Sequence, residues 1–259
     1  MAETVTLSGV SKRFDAHHGG TEVLNDVQIE VEAGEFVAIL GPSGCGKSTL
    51  LRLMAGLERP SGGDVRLGSR PVSGVDARCA VVFQEPRLFP WKTIGANVAI
   101  GARRHRGAAD TTELLERVGL TGFDRAYPHQ LSGGMAQRAA LARGLAGRPD
   151  VLLLDEPFAA LDALTRMEMQ DLLIDVCQVA RPTVLMVTHD VDEALYLADR
   201  VIVLGARPAT VIAEVRVPLS RPRDRSDAAF SGPRATLLER VGVTHPTVSG
   251  PRENVRLSA

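Results

Sequence analysis

A glycine-rich octet that ends in a lysine and a hydroxyl, Gly41-Pro42-Ser43-Gly44-Cys45-Gly46-Lys47-Ser48, carries the clearest chemistry in this chain. It fits the pattern G-x-x-x-x-G-K-[ST], a cradle for nucleotide phosphates. Glycines let the backbone curl so that several N–H groups point at one anion, and a helix starting there adds the positive end of its dipole. In that arrangement Lys47 reaches the β- and γ-phosphates, the Ser48 hydroxyl ligates Mg²⁺, and Thr49 completes the nucleotide contact. The pattern is informative only between a strand and a helix. Phe36-Val37-Ala38-Ile39-Leu40 before it reads as a buried strand, and Ser48 to Leu57 after it as a helix. Cys45 is read as a small residue that fits the loop, not as a redox centre.

A second group of residues supplies the acids. The run Val151-Leu152-Leu153-Leu154-Asp155-Glu156 puts a carboxylate at the C-terminal edge of an apolar strand. In phosphate-loop ATPases an acid so placed holds the Mg²⁺. Glu156 follows at once, so it points away from the metal ligand and is placed to polarise an attacking water. Two acids before Pro157 could simply begin a turn; beside a phosphate loop they read as functional.

These residues need a scaffold, and the hydrophobic pattern describes one. From Thr4 to Glu35, Val5, Leu7, Val10, Val27, Ile29 and Val31 alternate with polar residues, the period of half-buried antiparallel strands, with a turn at Gly19-Gly20. Val65-Arg66-Leu67 and Ala80-Val81-Val82-Phe83 read as further strands. The runs 151–154, 183–187 and 201–204 are continuously apolar, as parallel strands covered on both faces require. The helix between the first two carries Met169, Leu172, Leu173 and Val176 as core. Residues from about 85 to 145 have helical spacing at Leu114, Leu115, Val118 and Leu120 and read as a helical insert. Residues 4–218 then form one α/β unit. The arginine- and proline-rich stretch 219–259 is expected to be a largely flexible tail with one short helix near 235–241.

Bulk properties exclude more than they select. A net charge of -1 over 259 residues gives no general signal for nucleic acid. Cys45, Cys79 and Cys177 are odd in number and widely spaced, which argues against a disulfide framework or zinc site and for a reducing cytoplasm. There is neither a leader-like apolar segment after Met1 nor a run long enough to cross a bilayer, so a soluble chain is expected, with any membrane role exercised through a partner.

Leu131-Ser132-Gly133-Gly134-Met135-Ala136-Gln137-Arg138 is the most discriminating segment. Ser132 and two glycines open a second helix and so a second anion-binding N-terminus. Here the chain resembles the ATP-binding-cassette (ABC) family, whose signature is L-S-G-G-Q; Met135 departs from its commonest form. The resemblance spans about 4–215. It implies a phosphate-loop ATPase fold with an antiparallel β subdomain, a RecA-like parallel-sheet core and a helical signature subdomain. It also implies ATP and Mg²⁺, and two copies joined head to tail, each signature (Ser132, Gly133, Gly134, Met135, Gln137) capping the ATP of the other. On the same resemblance Gln84 contacts Mg²⁺ and the hydrolytic water, Asp162 lies in the loop along the dimer interface, and His189 is the switch histidine near the γ-phosphate. Phe14 would stack on adenine with Val23 nearby.

Within the family, a single cassette without membrane spans or coiled-coil insertion resembles the ATPase subunits of bacterial importers. That implies integral membrane permease subunits, a periplasmic or lipid-anchored solute-binding protein, and a peripheral place on the cytoplasmic face of the membrane. Val82-Phe83-Gln84-Glu85-Pro86-Arg87-Leu88-Phe89-Pro90-Trp91-Lys92-Thr93 suits a groove that receives a short permease helix. Its wording resembles the nitrate/sulfonate/taurine branch. Leu161 to Leu172, Thr188 to Ala194 and Pro218 to Arg223 look closest to aliphatic-sulfonate importers, with taurine and nitrate as alternatives. An ABC ATPase acting on DNA is the distant rival; no basic stripe spans the cassette, so no nucleic-acid partner is expected.

Overall fold

The computed structural model describes residues 2–15, 20–102 and 110–241. In chain order it contains β1 (Val5–Phe14), β2 (Thr21–Val31), β3 (Phe36–Leu40), α1 (Lys47–Met54), β4 (Gly62–Leu67), β5 (Arg70–Pro71) and β6 (Cys79–Val82). Then follow α2 (Ile94–Ala102), α3 (Thr111–Arg117), α4 (Gly133–Leu145), β7 (Val151–Asp155), α5 (Ala163–Ala180) and β8 (Thr183–Val187). The last elements are α6 (Val191–Leu197), β9 (Arg200–Leu204), β10 (Val211–Arg216) and α7 (Ser231–Val241).

The alternating N-terminal residues form an antiparallel sheet in the order β2-β1-β4-β5, with Val5 opposite Val31 and Leu7 opposite Ile29. Its apolar face is buried and its polar face is largely open to solvent, as the period of two requires. Of the turn expected at Gly19-Gly20, Gly19 lies outside the described residues. The continuous apolar runs form the second sheet, ordered β10-β9-β3-β8-β7-β6 and parallel from β9 to β6. Alternation within these strands sorts their side chains into two cores. Phe36, Ala38, Leu40, Leu152, Leu154, Val184 and Met186 join the cluster shared with α4, α5 and α6. Val37, Ile39, Val151, Leu153, Leu185 and Val187 join the one shared with α1 and the antiparallel sheet. Each buried leucine or valine contributes roughly 1.5–3 kcal/mol, so the strand ends that carry the site are firmly held.

The helices α2, α3 and α4 fall in the expected helical window, with residues 103–109 outside the described residues. Their apolar faces merge with the cluster on one face of the parallel sheet. Among the described residues no helix is long and apolar enough to cross a membrane.

In the C-terminal stretch the expected short helix is present and longer than expected, and the chain before it is anchored where a flexible tail was expected. Residues 219–241 are not loose: α7 begins at Ser231 and buries Leu237 against the sheet cluster. Arg223, only 8% exposed, donates to the carbonyls of Leu195 (2.8 Å), Tyr196 (3.0 Å) and Ala198 (2.7 Å), where α6 ends. Helix C-termini leave carbonyls without internal partners, and this guanidinium supplies the missing donors. Burial pulls Arg223 down to about 10, so it stays charged at neutral pH. Arg225 lies over the Tyr196 ring at 3.7 Å and pairs with Asp171 at 2.7 Å, and Arg234 pairs with Asp192 at 2.7 Å. Composition alone reads such arginines as solvated, and only the carbonyls and acids of α5 and α6 make them anchors. Residues 242–259 lie outside the described residues.

Candidate functional site

The adjacent strands β3, β8 and β7 end at one edge of the parallel sheet, and each hands over to a piece of the site. The octet follows β3, His189 follows β8, and Asp155 closes β7. Clustering at the carboxyl ends of parallel strands is where ligands meet sheets of this kind.

The phosphate loop folds as its glycines predict. Gly44 has φ +75° and Gly46 φ +123°, and a Cβ on Gly46 would sit 2.7 Å from Val23 Cγ1. Gly46 is also the N-cap of α1 and offers no side chain to its first N–H groups, so they face the loop. Lys47 is 5% exposed, and its Nζ donates to the carbonyls of Gly41 (2.8 Å) and Pro42 (3.0 Å). The Ser48 hydroxyl donates to Asp155 Oδ1 at 2.8 Å. Two of the three residues expected to share a cation thus already touch, and Gln84 is not among them.

Glu156 has φ +45°, the left-handed region that non-glycine residues seldom enter, and its N–H donates to Val187 O at 3.0 Å. Such backbone costs on the order of 1–3 kcal/mol and concentrates at functional sites. Its Oε2 lies 3.3 Å from His189 Nδ1. Nearby, buried Glu193 accepts from Thr188 Oγ1 at 2.7 Å, and burial raises its carboxyl above the ordinary value.

A cleft of 280 Å³ joins Phe14, Val23, Ser43, Gly44, Gly46, Lys47, Ser48, Thr49 and Glu156. It unites the phosphate loop with Phe14, which stands 37% exposed with Lys12 Nζ 4.7 Å from its ring centroid. Arg207 also lines this cleft. No pattern in the sequence marks it, because it arrives from the loop between β9 and β10.

Other expected residues lie elsewhere. Gln84 is exposed beyond the end of β6 and is not part of this lining. Ser132 caps α4, accepting from Met135 N at 3.3 Å, and Gly133 has open space beside it. Gly134 packs against the start of α5, where a Cβ would come within 2.7 Å of Thr165 Cγ2. Asp162 caps α5 by accepting from Thr165 N at 3.1 Å, and hydrogen bonding from the Thr165 hydroxyl, then from its N–H, holds the Asp162 carboxyl below the usual range. Gln137 departs from its expected place with the signature: it is 3% exposed and donates to Phe83 O at 3.3 Å. It faces its own chain because it lies on the inward side of α4. Trp91 stands 70% exposed beside Phe89, ring centroids 5.4 Å apart. Asn97, fully buried, holds their loop from α2 with hydrogen bonds to Phe89, Lys92 and Thr93. Nothing in the sequence distinguishes it from a surface asparagine.

A phosphate loop on a parallel sheet, an acid pair two strands away and a second glycine-opened helix together define an ATP-binding cassette. The family model for ABC transporters matches residues 24–159, and the chain belongs to that family. Among its relatives, the aliphatic sulfonates import ATP-binding protein SsuB 2 of Burkholderia cenocepacia (strain HI2424) is 49% identical over 234 residues, 90% of this chain and 87% of that protein. The aliphatic sulfonates import ATP-binding protein SsuB 1 of Pseudomonas aeruginosa (strain UCBPP-PA14) is 51% identical over 88% of this chain and 94% of that one. The fold is similar to the dimeric post-hydrolysis structure of the ATP-binding cassette MJ0796 bound to ADP and Pi, with a TM-score of 0.74 and 32% identity over 83% of this chain and all of that one.

Proposed function

We propose that this chain is the ATP-hydrolysing subunit of a bacterial importer for aliphatic sulfonates, working as a homodimer on the cytoplasmic side of membrane permease subunits. A solute-binding protein would deliver the solute from the far side. The observation that carries the substrate class is identity of about half with sulfonate-import ATP-binding proteins across nearly nine-tenths of the chain. A cassette does not touch the solute, so shared ancestry carries the substrate class.

The residues present suit Mg·ATP. The Gly46 position excludes a side chain, the start of α1 offers uncapped N–H groups, and buried Lys47 has backbone carbonyls as partners that phosphate oxygens can replace. Ser48 and Asp155, already 2.8 Å apart, would hold the Mg²⁺. When bound, the ion neutralises charge on the phosphate oxygens. Phe14 and Val23 would flank the base. Glu156 would orient a water toward the γ-phosphorus and take up its proton, and His189, 3.3 Å away, would fix the carboxylate. The second copy would supply Ser132, Gly133 and Gly134 to cap the phosphates, with Asp162 near the seam and Gln84 brought in on closure. Phe89 and Trp91 would meet the permease.

The test is growth of a strain lacking this chain on alkanesulfonates, taurine or sulfate as sole sulfur source, with nitrate as a nitrogen control. Failure on alkanesulfonates alone supports the reading. Failure on taurine or nitrate moves the chain to that solute, and normal growth on all of them removes the solute assignment.

A further inference from the structure

β9 runs beside β3 and ends against the start of the octet, where a Cβ on Gly41 would lie 2.9 Å from Leu204 O. The chain then leaves the parallel sheet and crosses to the antiparallel one. Ala209, fully buried, bridges to Leu24 of β2. Its N–H donates to Val23 O at 2.8 Å, and its carbonyl accepts from Asn25 N at 3.0 Å. Gly205 N donates to Thr210 O at 3.0 Å and closes the loop at its base. Arg207 stands exposed between these ties. Val23, on which the loop is anchored, also packs on the phosphate loop, since a Cβ on Gly46 would come within 2.7 Å of its Cγ1. Backbone bonds therefore hold Arg207 at one wall of the nucleotide cleft, which it lines.

The guanidinium has donors to spare. Nε donates to Glu22 O at 3.4 Å, and among the described residues neither Nη group has a hydrogen-bond or ion-pair partner. Arg200, at the start of the same strand, is by contrast matched to Glu35 at 2.8 Å and to Glu214 at 2.7 Å. Glu22 is next on β2 to Thr21, the residue opposite Phe14, so this bond sets Arg207 at the Phe14 end of the cleft. The phosphate end has its own donors in Lys47 and the start of α1. Lys12 lies over the Phe14 ring at 4.7 Å and is tied down by Glu58 at 3.1 Å and Arg59 O at 2.8 Å. One face of the ring is thereby occupied. A base on the other face would turn its own outer face to the cleft, where a planar, weakly hydrated guanidinium can lie against it.

We infer that Arg207 is a nucleobase-binding residue that closes the base subsite opposite Phe14, so that the base of the bound nucleotide lies between ring and guanidinium. This rests on the reading of the chain as an ATPase with its base at Phe14. Stacking of this kind tolerates any base, so Arg207 adds affinity for nucleotides over bare polyphosphates and does not by itself select adenine. The contact needs no second copy and forms in the monomer.

The full chain and Arg207→Ala are compared by equilibrium dialysis against labelled Mg·ADP, which binds without turnover. Ribose 5′-diphosphate, which lacks the base, serves as competitor. Arg207→Ala should melt with the parent, because the side chain is exposed. It should weaken ADP binding about fivefold or more and leave that of ribose 5′-diphosphate within about twofold. Equal weakening of both ligands would make Arg207 a phosphate or scaffold residue, and unchanged ADP affinity would remove it from the site; either result overturns the inference. Should ribose 5′-diphosphate compete too weakly to follow, Arg207→Lys decides, since it keeps the charge and loses the planar face. ADP affinity near that of Arg207→Ala then upholds the base contact, and affinity near the parent's overturns it. A parent that does not bind Mg·ADP overturns the functional reading, and the role of Arg207 with it.

Discussion

The N-terminus of α1 is enclosed at the edge of the parallel sheet, with Lys47 on the Gly41 and Pro42 carbonyls and Ser48 on Asp155. The N-terminus of α4 stands open: Ser132 and Gly133 are exposed, and nothing lies within 4 Å of a Cβ on Gly133. Both are glycine-flanked helix starts able to bind an anion. One has Lys47 in its own first turn, and Asp155 and Glu156 come from the end of β7 in the same chain. At the other, among the described residues, Gly134 packs against Thr165 at the start of α5 and against Leu161. Under the proposed function a second copy would bring the counterpart to this open end; the cassette of similar fold is a dimer.

The contrast can be broken most forcefully at Glu156. Glu156→Gln is expected to lower ATP turnover about 10²–10⁴-fold, the range for losing a general base, while nucleotide affinity holds; turnover near the parent's would remove Glu156 from the chemistry. Next is Gly133→Asp at the open end. The site has room for the side chain, and an acid in the first turn is compatible with the helix dipole. The monomer should therefore fold and bind ATP normally, yet hydrolysis should fall about 10²-fold because the carboxylate meets the partner's phosphates. Undiminished hydrolysis would mean that the open half-site is not used.

Smaller effects sharpen the same contrast from the enclosed side. Arg223→Ala uncaps α6, the helix after His189, and should cost about 2–4 kcal/mol, read as a lower Tm. Unchanged melting would return 219–241 to the status of a loose tail. The least effect is expected for Glu193→Gln. Burial raises the Glu193 carboxyl above 4.5, so as pH rises past 4.5 the unfolded chain releases this proton before the folded one does. Stability from this group is complete below that value and is lost as pH climbs through the raised one. Glu193→Gln should flatten that part of the Tm–pH curve while changing stability at neutral pH by about 1 kcal/mol or less. A curve of unaltered slope would count against the ionisation of Glu193 as its source.

What was legible in the sequence follows from locality. The octet and the acid pair are contiguous, and period-two or continuous apolar runs declare which strands have one covered face and which have two. The strands of both sheets other than β5 and β10, and the phosphate-loop residues of the cleft, could be read that way; Arg207 could not. Gln137 could not be placed, because a residue near a helix start faces out or in according to how the helix packs, and α4 turns it toward Phe83. Arg223 was invisible for a related reason: its identity fits a solvated run, and only the exposed carbonyls of α6 convert it to a cap.

The makings of a phosphate site were local, since glycines that permit a curled loop, a lysine, a hydroxyl and a strand-end acid are properties of residue type and spacing. The tertiary structure alone decided which parts act together. It brought Asp155 to Ser48 across 107 residues, set Glu156 against His189, and tied the loop at Pro86 and Arg87 to α4 through Arg143. Those pairings depend on strand order and helix packing, which are long-range outcomes of burying two apolar faces at once, and no local pattern encodes them.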